Sequence, residues 1–261
     1  MHGGLRIATP GDRPTAPSSD RPNAAHVDRP NAAHSDRPTR AILLDALGTL
    51  LALQSPAPRL RRTLARRFGI EVTAAEAQAA VEAEIAYYRR HLQQGRDAVS
   101  LAALRARCAG VLRGALPAGA ALAALPPARL TEAMLASLCF TACPDAAPAL
   151  LAARARGERL VVLSNWDVSL SGVLEGVGLA PLLDGVVSSA GAGARKPSPA
   201  IFELALGVAG VAAEHAIHVG DSVDEDVAGA RSAGIEPILI RRDGNVGPPG
   251  VRTIATLAEL G

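Results

Sequence analysis

From Arg40 onward, the apolar residues fall into two rhythms. Between about Pro56 and Leu138 they recur every three or four positions among Ala, Leu, Arg and Glu, the spacing of one face of an α-helix. Thr73 stands where an N-cap would, and Ala77, Val81, Ile85, Tyr88 and Leu92 follow it as one apolar stripe. Glu84, Tyr87 and His91 form a neighbouring stripe on the same helix. A second helix is predicted over about Asp97–Arg113 and a third over Pro127–Leu138. Outside this stretch, short apolar runs alternate with helical segments. Ala41–Leu44, Leu160–Leu163, Gly185–Val187, Ile217–Val219 and Pro237–Ile240 read as strands; Ala146–Arg156, Val168–Val177, Ser198–Val208 and Glu225–Ala233 read as helices. Strands separated by helices make a parallel sheet covered on both faces. The expected fold is therefore α/β: a doubly wound, Rossmann-like core formed by residues 39–53 and 140–261, with residues 54–139 inserted as an all-helical domain.

Residues 1–38 break both rhythms. Asp-Arg-Pro recurs at 12–14, 20–22, 28–30 and 36–38 with almost nothing apolar between, so this segment is expected to be a disordered, low-complexity repeat tail.

Charge then narrows the partners. The chain carries 27 Lys and Arg against 25 Asp and Glu. Residues 1–40 hold six Arg and four Asp, which account for the whole formal +2 and leave the rest neutral. A polyanion finds no basic excess there, so no nucleic-acid partner is expected. No stretch reaches the roughly 18–20 apolar residues of a membrane span, and Ala115–Ala128 is broken by Pro117, Pro126 and Pro127. With no signal-like N-terminus either, the expected location is cytoplasmic, without a membrane partner. Cys108, Cys139 and Cys143 lack the second ligand pair of a zinc site and read as plain thiols.

In doubly wound sheets, ligands sit at the carboxyl ends of the strands. The polar residues at those ends are Asp45, followed by a turn at Gly48; Ser164 and Asn165; and Asp221, in Gly220-Asp221-Ser222-Val223-Asp224-Glu225-Asp226. Lys196, the only lysine of the chain, opens a helix in Lys196-Pro197-Ser198-Pro199. Asp167, Asp224 and Glu225 read as helix caps, Tyr88 as core packing, and His215 and His218 as structural.

These four segments, in this order over residues 41–240, resemble the motifs of the haloacid dehalogenase-like (HAD) hydrolase superfamily, and the helical insertion resembles its cap domain. The resemblance implies a Mg²⁺-dependent phosphatase of a small phosphorylated metabolite. It implies Asp45 as nucleophile and metal ligand, the Leu47 carbonyl and Asp221 as further ligands, and Asp226 acting through a metal-bound water. Ser164 and Asn165 would bond the phosphoryl oxygens, and Lys196 would sit between Asp45 and the phosphate. The chemistry is sound. A carboxylate can accept a phosphoryl group, a hard cation can neutralise the dianion, and a compact ammonium suits the space between two anions better than a forked guanidinium. Trp166, Tyr87 and His91 are candidate substrate contacts.

One position departs from the family's phosphatases, which carry Asp two residues after the nucleophile to move the leaving group's proton. Here it is Leu47, which places the chain with the subgroup lacking that second Asp. The alternatives are a metal-independent 2-haloacid dehalogenase, whose halide leaves without a proton, and a weakly catalytic binding or regulatory protein of the same fold. Carboxylates crowded around Asp45 without a cation would repel its attack, which weighs against the dehalogenase.

Overall fold

A computed structural model describes residues 40–261, and the expected repeat tail at 1–38 lies outside the described residues. Strand β1 (Ala41–Leu44) is buried at every position. Successive side chains of a strand point to opposite faces. Ile42 and Leu44 accordingly enter one hydrophobic cluster, while Ala41 and Leu43 enter another across the sheet.

The chain then runs through β2 (Leu51–Gln54) into five helices: α1 (Pro56–Phe68), α2 (Ala74–His91), α3 (Ala98–Ala115), α4 (Ala120–Ala124) and α5 (Pro127–Ser137). Thr73 caps α2 in a capping box with Glu76, and Asp97 caps α3 with Ser100, so the expected starts of both helices are met by local hydrogen bonds. Leu60, Leu64, Val81, Leu104, Leu112, Leu130 and Met134 pack together as the interior of this helical insertion. Strand β3 (Cys139–Ala142) returns antiparallel to β2, pairing Leu51 with Ala142 and Gln54 with Cys139. The hydrophobic pattern does not foreshadow this ribbon at either end of the insertion, because four-residue strands are too short to show alternation.

The remainder alternates: α6 (Ala146–Ala155), β4 (Arg159–Ser164), α7 (Leu170–Gly176), β5 (Gly185–Ser188), α8 (Ser189–Ala192), α9 (Pro199–Ala209), β6 (Ala216–Gly220), α10 (Ala228–Ser232), β7 (Glu236–Ile240) and β8 (Arg252–Ile254). Six strands form one all-parallel sheet in the order β5-β4-β1-β6-β7-β8. From β1 the chain builds outward through β4 to β5, then crosses back to β6 on the other side of β1. The order reverses there, and the crevice beyond β1 and β6 is where such sheets take ligands.

Two local features differ from expectation. β8 is a three-residue edge strand with no apolar run to announce it. The helix expected from Glu225 opens as one wide turn, Val223–Val227, before α10, a distortion common at functional sites. Cys108 and Cys143 are buried and all three thiols are free. Among the described residues, no helix is long and apolar enough to cross a membrane.

Candidate active site

Asp45 leaves β1 with its amide donating to the Val219 carbonyl of β6 (2.9 Å), which seats it at the strand reversal. The turn that follows lies against Asp221. Gly48 there has φ 88°, and a Cβ on it would collide with the Asp221 carboxylate, so only glycine lets the two loops meet. Arg242 braces this turn by donating to the Gly48 and Thr49 carbonyls (3.0 and 2.5 Å) and to Asp145 (3.1 Å).

Lys196, 1% exposed, reaches into the crevice from the segment before α9. Its Nζ donates to Asp45 Oδ1 and Asp226 Oδ1, each at 2.5 Å. The Ser164 hydroxyl at the end of β4 donates to the same Asp45 oxygen (2.9 Å). Asp226 is held on three sides: Lys196 and His218 Nε2 (2.8 Å) at Oδ1, and the Ser222 amide (3.0 Å) at Oδ2. An imidazole that donates from Nε2 carries a bare Nδ1, and that atom of His218 is buried without a partner.

One ammonium thus serves three carboxylates, since oxygens of Asp45, Asp221 and Asp226 all lie within 4.8 Å of one another. Burial raises the Asp45 pKa despite the attraction of Lys196, and repulsion from Asp226 adds to the rise. Asp221, exposed at the rim, is pushed up to about 6 by desolvation and by the charges of Asp45 and Asp226. Burial also opposes ionisation of Asp226, but Lys196 and His218 outweigh it and hold that carboxyl below its usual range. Burial alone would lower the Lys196 pKa, whereas Asp45 and Asp226 hold it above normal.

This donor set fits a hard cation. Asp221 receives no hydrogen bond from another described residue, and Asp45 keeps Oδ2 uncommitted. The backbone bonds that close the turn after β1 use Ala46 O, Gly48 N and Leu51 O, leaving the Leu47 carbonyl free of them. The Leu47 side chain packs half-buried against the core.

The other expected site residues stand elsewhere. The Asn165 amide, expected at a phosphoryl oxygen, instead pairs with the main chain of Lys196: Oδ1 accepts from its N–H (2.9 Å) and Nδ2 donates to its carbonyl (3.1 Å). Asp226, expected to work through a metal-bound water, has both oxygens engaged by protein donors. Trp166, expected at the substrate entrance, is 7% exposed and packs against Phe140 of β3 with ring centroids 5.1 Å apart. Tyr87 and His91 stack on each other at 4.0 Å, and neither joins the hydrogen bonds of the Asp45 cluster. Tyr88, by contrast, is more than packing: its hydroxyl donates to Asp167 Oδ2 (2.9 Å). The signal for it was the phenol itself, since a buried Tyr hydroxyl finds a partner. Nothing in the hydrophobic pattern marks Arg242.

The sequence profile of the haloacid dehalogenase-like hydrolases matches residues 39–234. The chain belongs to this family. Among curated haloacid dehalogenase-like relatives, the haloacid dehalogenase-like hydrolase domain-containing protein 3 of Bos taurus is 45% identical over 87 residues, 33% of this chain and 35% of that protein. The phosphoserine phosphatase of Thermus thermophilus is 41% identical over 100 residues, 38% of this chain and 40% of that protein. The chain therefore matches well under half the length of either relative. A solved HAD phosphatase from Thermococcus onnurineus superposes with a TM-score of 0.60 and 27% identity over 85% of this chain and 96% of its own. Solved 2-haloacid dehalogenases share the fold at lower identity, which carries the architecture and not the reaction.

Proposed function

We propose that this hydrolase is a Mg²⁺-dependent phosphatase of a small phosphorylated metabolite, with Asp45 as its nucleophile and the helical insertion as a cap over the crevice. The observation that carries the reading is the charge imbalance at the strand ends: three carboxylates share one buried ammonium, with the Asp45 pKa raised and that of Asp221 pushed up to about 6. Such a site lacks positive charge, and a divalent cation held by Asp45, the Leu47 carbonyl and Asp221 would supply it while neutralising a bound phosphate. Asp226, with its oxygens committed, serves instead to hold Lys196 in place.

In this reading Ser164 and Lys196 fix Asp45 Oδ1, and the uncommitted Oδ2 attacks phosphorus. The bond to the leaving alkoxide breaks as an aspartyl-phosphate forms, and water then cleaves the acyl phosphate to return the carboxylate. Lys196 stabilises the charge gathered on the transferring group. Because Leu47 offers no proton, the leaving oxygen takes one from water, and acidic leaving groups react fastest. The aliphatic Leu47 is also the feature that favours a dehalogenase, but three carboxylates without a cation oppose that reading. The names of the phosphatase relatives support phosphoryl transfer.

p-Nitrophenyl phosphate with and without Mg²⁺ tests this. Turnover is expected with Mg²⁺ and abolished by EDTA. More Mg²⁺ is needed below about pH 6, because Asp221 then takes up a proton and ceases to be a ligand. Chloride release from 2-chloropropionate in EDTA, with no phosphate release under any condition, would overturn the reading.

A further inference from the structure

The loop after β4 that carries Ser164 and Asn165 is gripped from the helical insertion at two points. The Tyr88 hydroxyl of α2 donates to Asp167 Oδ2 (2.9 Å), and the Val168 amide donates to the Gly95 carbonyl (3.0 Å). Gly95 sits so close that a Cβ on it would press on Asp167 Cβ and on Leu101. Asp167 is 3% exposed, and its Oδ1 accepts from the Ser169 amide (2.7 Å), so both of its oxygens are used. On its other side the loop is bound to the sheet: the Ser189 hydroxyl bonds the Trp166 amide (3.1 Å), and the Ala190 amide donates to the Trp166 carbonyl (3.0 Å). The same loop places the Ser164 hydroxyl on Asp45 and the two Asn165 bonds on the main chain of Lys196.

We infer that Tyr88 and Asp167 are positioning residues, which couple docking of the helical insertion to the alignment of Asp45 and Lys196. Neither touches the reacting atoms. Each acts through the four residues between Ser164 and Asp167, so the docked insertion clamps the loop as well as covering the crevice. Only the kinetic arm of the test rests on the phosphatase reading.

Trp166, the sole tryptophan, stands beside Asp167 and reports on the loop without any substrate. In the full chain, Tyr88→Phe is expected to red-shift Trp166 emission and to speed amide exchange at 164–168. It should lower kcat for p-nitrophenyl phosphate roughly tenfold while KM moves less than about twofold. Asp167→Asn should do the same, and the double variant should lose no more than either single one. Leu122→Ala hollows the insertion's interior away from this loop and should lower stability while keeping the wild-type emission. Unchanged emission and exchange in Tyr88→Phe, an equal shift in Leu122→Ala, or additive losses in the double variant would overturn the coupling. If the wild type shows no phosphatase turnover, the proposed function fails, and emission and exchange still decide the coupling.

Discussion

The strand ends and the helical insertion bury charge in opposite ways. Asp45, Asp226 and Lys196 are all buried at the strand ends, and each is engaged by named partners within hydrogen-bonding distance. The insertion buries Leu, Ala, Val and Met, and its one buried carboxylate, Glu84, has only the Cys108 thiol as a side-chain partner. The first arrangement accepts repulsion that no stability argument would choose, and the second does what packing alone requires. Perturbed carboxylates crowded in a crevice mark where chemistry is done.

If that contrast is right, the largest effect comes from neutralising the nucleophile. Asp45→Asn keeps shape and acceptor but removes the attacking charge, so turnover of p-nitrophenyl phosphate should fall by about 10⁴-fold or more. Thermal unfolding of the metal-free protein should stay unchanged or rise, because a carboxylate whose pKa is raised in the fold costs stability when ionised. A fall in Tm with turnover retained would mean that Asp45 is a structural cap.

The motifs at the strand ends were legible because each demands a residue type: a carboxylate after β1, a hydroxyl after β4, an ammonium before α9, carboxylates after β6. What could not be read was direction. Period and spacing place Tyr88 on an apolar stripe and Tyr87 beside His91, yet the hydroxyl of the striped residue reaches Asp167 while the neighbouring pair stack on each other. Asn165 likewise has the right place but turns to the Lys196 main chain, because that segment's unpaired N–H and C=O lie within its reach. The β2–β3 ribbon and the wide turn before α10 depend on contacts distant in sequence, which no local pattern records.

A smaller effect follows from removing the shared ammonium. Lys196→Met leaves Asp45 and Asp226 buried without a cation, and breaking a buried pair in this way costs about 3–5 kcal/mol. In urea unfolding of the metal-free protein, the loss should be greatest near pH 8. It should shrink on acidification as the two carboxyls take up protons. A cavity in the insertion such as Leu122→Ala should destabilise equally at every pH, since no ionisable group there changes partner. A Lys196→Met loss independent of pH would show that the side chain matters for its volume and not its charge.

The smallest effect lies inside the insertion itself. Burial raises the Glu84 pKa, and the hydrogen bond from Cys108 only partly opposes this; the Cys108 thiol is pushed up to about 12 by burial and by Glu84. The folded state therefore holds the Glu84 proton to higher pH than the unfolded chain does. Its contribution is most favourable at low pH and declines as pH rises from the unfolded value through the folded one. Glu84→Gln keeps the shape and one acceptor for the thiol but never ionises. Its Tm should exceed that of the wild type by about 2–4 °C at pH 8, the shift expected for about 1 kcal/mol in a chain of this size. The two Tm values should converge as pH approaches that of an ordinary carboxyl, where both side chains are neutral. Scanning calorimetry from pH 4 to pH 8 measures this directly. A Gln variant less stable at pH 8 would mean that the ionised Glu84 is held by a partner, and the insertion would then bury charge for a purpose, as the strand ends do.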